Sequence, residues 1–257
     1  MTTQLKNSRF THYTTLPILK YDGELFNEVS DSIIQEMPLD IYVNGEHLQS
    51  ITCSPWDIEE LVMGLLAVKN VIRTKQDLVS LTYDKATGAV YTECCTLQQP
   101  HEIPLAQPHD HVLLACEAIN NGINMLENGS KLFHRTGGVH SAVLMGDTGV
   151  LAWFEDIGRH SALDKLIGWS IMNNMSMTDK VILFSGRVPY EIIHRVVTSG
   201  CHCIISPGAP TGLSIQEAID NDITLIGFAK HGHFNVYSHP ERVIQQSRHP
   251  HSAKQYA

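Results

Sequence analysis

Between residues 180 and 228 the chain reads strand, helix, strand, helix, strand, with almost no chain left for joints. Residues 180–184, 201–205 and 223–228 are near-continuous apolar runs. Residues 189–199 and 211–220 carry helical spacing, and Gly200 ends the first of them. Joints this short call for parallel strands and right-handed crossovers. Apolar runs with so little polar alternation belong to strands covered on both faces. This stretch predicts an α/β fold, a mixed sheet with helices on both faces.

Upstream the rhythm is that of hairpins. Residues 39–43 and 47–52 flank Asn44-Gly45, a two-residue turn signal. Ser54-Pro55-Trp56-Asp57 then opens a helix, with Ser54 expected as its N-cap and Pro55 as its first residue. Ile58, Leu61, Val62, Leu65 and Leu66 form that helix's buried stripe. Residues 78–83 and 89–96 read as a second hairpin around Thr87-Gly88, and 141–145 and 150–154 as a third. Between them lies a polar, proline-containing stretch, 98–108. Asp110 is expected to cap a helix over 111–128, which Gly129 ends.

Bulk properties narrow the function. The chain has 257 residues, 43% apolar and 18% charged, the balance of a globular protein. A net charge of −9 argues against general nucleic-acid binding but leaves room for a local basic pocket. No apolar run reaches the length of a membrane span, and the polar first ten residues do not read as a signal peptide. The spacing of Cys53, Cys94, Cys95, Cys116, Cys201 and Cys203 gives no disulfide framework, so reduced thiols in a cytoplasm are expected. Histidines gather near the C-terminus (His231, His233, His239, His249, His251), yet no HExxH or Cys-x-x-Cys frames them for a metal, and no zinc is expected.

In open α/β sheets ligands bind at the carboxyl ends of the strands. Four such ends can be read here. Glu155-Asp156-Ile157-Gly158-Arg159-His160 follows residues 150–154, in a run to Lys165 that crowds three carboxylates, an Arg, a His and a Lys into eleven positions. Asp156 or Ser161 is expected to cap the helix that follows. Ser185-Gly186-Arg187 follows 180–184, Ser206-Pro207-Gly208-Ala209-Pro210-Thr211 follows 201–205, and Ala229-Lys230-His231-Gly232-His233 follows 223–228. Arg159, Arg187 and Lys230 at these ends suit the phosphates of a nucleotide-bearing ligand. His140 and His160 suit orienting it or moving a proton, and a hydrogen-bonded structural role serves each equally well.

The same residues carry a resemblance. Arg135-Thr136-Gly137-Gly138-Val139-His140-Ser141-Ala142, the 155–165 run, Ser185-Gly186-Arg187-Val188-Pro189-Tyr190-Glu191-Ile192 and Leu225-Ile226-Gly227-Phe228 resemble FdhD, the formate dehydrogenase accessory sulfurtransferase family, in order and spacing from about residue 37 to 242. The resemblance implies a cytidine-deaminase-like fold, with a hairpin-rich region over 1–129 and a cofactor-binding α/β region over 130–257 in one compact unit. It implies a cytoplasmic, sulfurtransferase-type accessory role. Sulfur would come from a cysteine desulfurase as a persulfide and pass to the bis-guanine-dinucleotide molybdenum cofactor for formate dehydrogenase. It implies that Phe228, Ala229, Lys230, His231, Gly232 and His233 bind that cofactor. A homodimer is left open.

The chain departs from the family at its sulfur. The family's Cys-Gly-x-Cys-Gly-like loop has no counterpart, and no cysteine occurs between residues 96 and 110. Cys95 and Cys94 are the nearest candidates for the carrier thiol, and on a strand they point to opposite faces. Burial is the better expectation for Cys116, and for Cys201 and Cys203, read as sharing one face of a strand. The alternative is a non-catalytic cofactor-binding chaperone that has lost the sulfur step. A zinc deaminase on the same fold would need His-x-Glu and Pro-Cys-x-x-Cys; His140 is followed by Ser141-Ala142, and no Pro-Cys occurs.

Overall fold

A computed structural model describes residues 11–95 and 112–245. The 98–108 stretch, Asp110, His111, His249 and His251 lie outside the described residues. The described residues open with an antiparallel ribbon, β1 (Tyr13–Tyr21) on β2 (Phe26–Ile34), which is not among the hairpins expected from sequence. β3 (Met37–Val43) and β4 (Glu46–Cys53) follow as the first expected hairpin, with Asn44 and Gly45 both at positive φ in its turn. Then come α1 (Ile58–Val68), β5 (Leu78–Asp84) and β6 (Ala89–Cys94). These strands make a four-stranded sheet in the order β4-β3-β6-β5.

The second part runs β7 (Leu114–Ala115), α2 (Cys116–Gly129), α3 (Lys131–Thr136), β8 (His140–Gly146), β9 (Gly149–Asp156), α4 (Arg159–Met172), β10 (Val181–Phe184) and α5 (Tyr190–Ser199). It ends with β11 (Cys203–Ile205), α6 (Gly212–Asp220), β12 (Thr224–Lys230), β13 (His233–Val236) and β14 (Val243–Ile244). The larger sheet has the order β13-β12-β11-β10-β8-β9. β10, β11 and β12 are parallel, as their short crossovers require, and antiparallel strands flank them.

Strand alternation divides the core in two. Ala142, Leu144, Ile182, Phe184, Ile204 and Leu225 face α4, α5 and α6, and that cluster continues through α1 to Leu39, Ile41 and Val90 of the smaller sheet. Val143, Val181, Leu183, Cys203, Ile205 and Ile226 face Ile119, Ile123 and Leu126 of α2. Helices thus cover both faces of the larger sheet. α1 and α4 cross at backbone contact: a Cβ on Gly64 would overlap the Asp164 carbonyl, and one on Gly168 the Glu60 carbonyl.

Several local expectations are corrected. α1 begins at Ile58 behind Asp57, which takes positive φ and does not cap with its side chain. Ser54 is drawn away because its N–H donates to Asp156 and its hydroxyl accepts from the Ile157 N–H. α2 starts at Cys116, since Leu114 and Ala115 pair with β14 instead. Gly158, not Asp156 or Ser161, is the N-cap of α4. Cys201 lies before β11 and packs in the first core cluster while Cys203 packs in the second, so the two do not share a face. The segment from Phe228 to His233 is a bulged hairpin between β12 and β13 rather than a loop after a strand, with Phe228, His231 and Gly232 at positive φ.

Candidate functional site

The ends of β9, β10, β11 and β12 and the start of β8 meet at one edge of the larger sheet. Two of the joints are fused through backbone. The Ser206 hydroxyl donates to the Gly186 carbonyl at 2.6 Å and accepts from the Gly208 N–H at 2.8 Å. A Cβ on Gly208 would overlap the Gly186 carbonyl and Arg187, so only glycine fits. The Phe228 and Ala229 N–H groups donate to the Gly208 and Ser206 carbonyls, which ties the end of β12 to the same point.

Beside this seam lies a cavity of about 590 Å³, lined by Val139, His140, Ser141, Ser185, Pro207 and His231 and walled by Leu126, Phe133 and Ser130. Ser185 accepts the Ser141 N–H at 2.8 Å, and its hydroxyl lies 3.4 Å from His140 Nδ1. Burial, aided by the positive charge of Arg159, lowers the His140 pKa. Burial and the flanking Arg195 and Arg159 push His160 down to about 4. Both imidazoles are therefore uncharged near neutral pH. Arg159 Nε and His160 Nε2 are shielded from solvent and have no hydrogen-bond partner among the described residues. Buried polar groups are almost always satisfied, so these two nitrogens call for a partner beyond the described residues.

The charged run divides by role. Asp156 and Lys165 form a fully buried ion pair at 2.9 Å, and Lys165 also donates to the Glu155 carbonyl at 3.0 Å. The Glu155 carboxylate accepts from the Ser130 and Ser141 hydroxyls. Asp164 holds Arg195 through both oxygens. These residues lock the β9–α4 joint and the base of α3. That leaves Arg159 and His160 in the first turn of α4, with Arg159 Cβ packed close to Gly186.

Of the residues singled out from sequence, His140 and His231 line the cavity, and Arg159 and His160 stand at the same sheet edge. Arg187, Phe228, Lys230, Gly232 and His233 are exposed around it, while Ala229 is buried under the β12–β13 hairpin. The thiols sit elsewhere. Cys94 is buried and its pKa is raised by that burial; Cys95, directly after β6, is exposed on the smaller sheet. Burial pushes Cys53 and Cys201 up to about 12, and Cys203 is raised as well. Cys116 is half-buried at the start of α2, and no cysteine lines the cavity. Ser130 and the short α3 were missed from sequence; Ser130, three residues before Phe133 whose N–H it caps, was the available signal. Among the described residues no group of three or more His, Cys, Asp or Glu side chains could hold a metal, and no helix is long and apolar enough to cross a membrane.

Comparison with known proteins agrees with this architecture. A crystal structure of a formate dehydrogenase accessory protein from Desulfotalea psychrophila superimposes with a TM-score of 0.79 at 21% identity, covering 91% of this chain and all of that one. Proteins named sulfur carrier protein FdhD from Staphylococcus aureus strains MRSA252 and Newman are each 35% identical, over 90% of this chain and 97% of theirs. The FdhD/NarQ family model matches residues 34–105 and 90–244. On this evidence the chain belongs to the FdhD/NarQ family.

Proposed function

We propose that the chain is a sulfur carrier for formate dehydrogenase maturation in the cytoplasm. It takes persulfide sulfur from a cysteine desulfurase and passes it to the bis-guanine-dinucleotide molybdenum cofactor. The name shared by the Staphylococcus aureus relatives supports the carrier role. The observation that carries the cofactor reading is the pair of shielded, unpartnered nitrogens on Arg159 and His160 at a strand-end edge that also holds Arg187 and Lys230. An anionic ligand such as a pyrophosphate accepts from the Arg159 Nε–H, and from His160 Nε2 in the tautomer that carries the proton there. Phe228 to His233 would lie along the ligand from the β12–β13 side, and His140 would meet it from the cavity wall. Cys95 is the proposed carrier, with Cys94 beside it sealed in the core.

A second reading, cofactor binding without sulfur transfer, is favoured by the absence of any cysteine from the cavity lining. Incubation with a cysteine desulfurase and cysteine, followed by intact mass, separates the two. The carrier reading expects one added sulfur atom, lost on reduction and absent in Cys95→Ala. Unmodified protein that still binds a guanine nucleotide by calorimetry supports the chaperone reading. Failure in both assays overturns both.

A further inference from the structure

A second cavity, of about 520 Å³, lies across α3 from the one beside His140 and shares no lining residue with it. Ser130 and Phe133 face the first cavity, Lys131 and Arg135 the second. Glu155, held by the Ser130 and Ser141 hydroxyls, stands between them. Four rings wall the second cavity, those of His12, Tyr13, Trp56 and Trp153. Each is held by the chain itself. Trp56 Nε1 donates to the Glu155 carbonyl at 3.1 Å, with Lys165 5.1 Å from its ring. His12 meets Trp56 edge-on at 4.6 Å, and Arg135 lies 4.5 Å over Tyr13. Trp153 packs so tightly on Gly129 that a Cβ there would overlap its ring. Walls fixed in advance lower the cost of ordering them around a ligand.

The charges of the lining are of both signs and mostly uncommitted. Asp57 holds the N-cap position of α1, where an aspartate ordinarily accepts from the helix's first N–H groups. Here the backbone is left-handed, φ 54°, and the side chain makes no cap. Asp57 lines the cavity instead, its carboxylate without a hydrogen bond from any described residue. A forgone cap and a left-handed backbone both cost stability, which marks the residue as placed for another purpose. Lys131 and Arg135 stand one turn apart on α3, so both reach the same space. Lys131 has no partner among the described residues, and Arg135 commits only its Nε, to Ser32. We propose that this cavity binds an aromatic α-amino acid as its zwitterion. The ammonium pairs with Asp57, the carboxylate with Lys131 and Arg135, and the ring packs on Trp56 and Trp153. A purely anionic ligand leaves Asp57 opposed to it, a purely cationic one leaves the two cations of α3 opposed to it, and an uncharged one strands all three. The volume is that of a small-molecule pocket.

Two of the chain's three tryptophans line the cavity, so the intrinsic emission of the full chain reports its occupancy without reference to cofactor or sulfur. Titration with L-phenylalanine should give a saturable change with a Kd on the order of 1 mM or below. N-acetylphenylalanine lacks the ammonium and phenethylamine the carboxylate, and each should bind about tenfold more weakly. Asparagine tolerates a left-handed backbone as aspartate does, so Asp57→Asn should keep the thermal midpoint while weakening L-phenylalanine about tenfold. Lys131→Gln, at an exposed position, should weaken it as well. Should Asp57→Asn fail to fold, Lys131→Gln and the two analogues decide the question. No saturable change up to about 10 mM, either analogue binding as tightly as L-phenylalanine, or an affinity indifferent to both substitutions overturns the proposal.

Discussion

Lys165 is an ammonium with no solvent around it, held by Asp156, by the Glu155 carbonyl and by the Trp56 ring 5.1 Å away. Asp156 is in turn bound by the N–H groups of Ser54 and Gly158, so one carboxylate joins the approach to α1 to the start of α4. Removing the cation leaves a buried charge without its partner, which costs more than the pair itself contributes. Lys165→Met is expected to lose about 3–5 kcal/mol of unfolding free energy in a urea titration, with Lys165→Met/Asp156→Asn recovering part of it. Sequence marks 155–165 as exceptional because charges rarely crowd so tightly. It does not say which of them turn inward, since that follows from Gly158 starting α4 and so placing Arg159 and His160 at the sheet edge.

Among the elements, α1 and α4 show what a pattern can and cannot reveal. The apolar stripe of α1 is legible and is buried as expected, from Ile58 to Leu66. The crossing is not, because Gly64 and Gly168 look like ordinary helix-weakening residues until the two backbones are brought together. Gly168→Ala should therefore destabilise by about 1–3 kcal/mol despite the better helix propensity of alanine, read as a lowered thermal midpoint. The β3–β4 hairpin is legible from Asn44-Gly45, as is the third hairpin, β8–β9. The β1–β2 ribbon instead turns through four residues, Asp22 to Leu25, with Gly23 at positive φ. It escapes notice because, among the described residues, neither of its faces is buried in a core, and its strands lack the usual alternation of apolar and polar residues.

Over the whole molecule, pH enters through the buried imidazoles at the sheet edge. Folding lowers His160 from 6.5 to about 4, so below about 6.5 the unfolded chain takes up a proton that the folded one refuses. His160 thus contributes stability above that pH, and the contribution is lost progressively as pH falls toward 4. Urea midpoints measured between these limits should fall, and His160→Gln should flatten the slope. The alternation of strands and helices after residue 180 makes the parallel strands β10, β11 and β12 legible, and with them the edge at which their ends meet. The cavity itself was not, since Ser130, Leu126 and Phe133 reach it from helices whose placement no local pattern specifies. One feature of that edge bears on how a ligand could be received. With Gly208 seated on the Gly186 carbonyl and Ser206 stitching the two turns, the floor beside the cavity behaves as a single rigid plate. A guest meets a wall already formed there, while Phe133 of α3 and His231 of the exposed β12–β13 turn line the cavity from outside that plate.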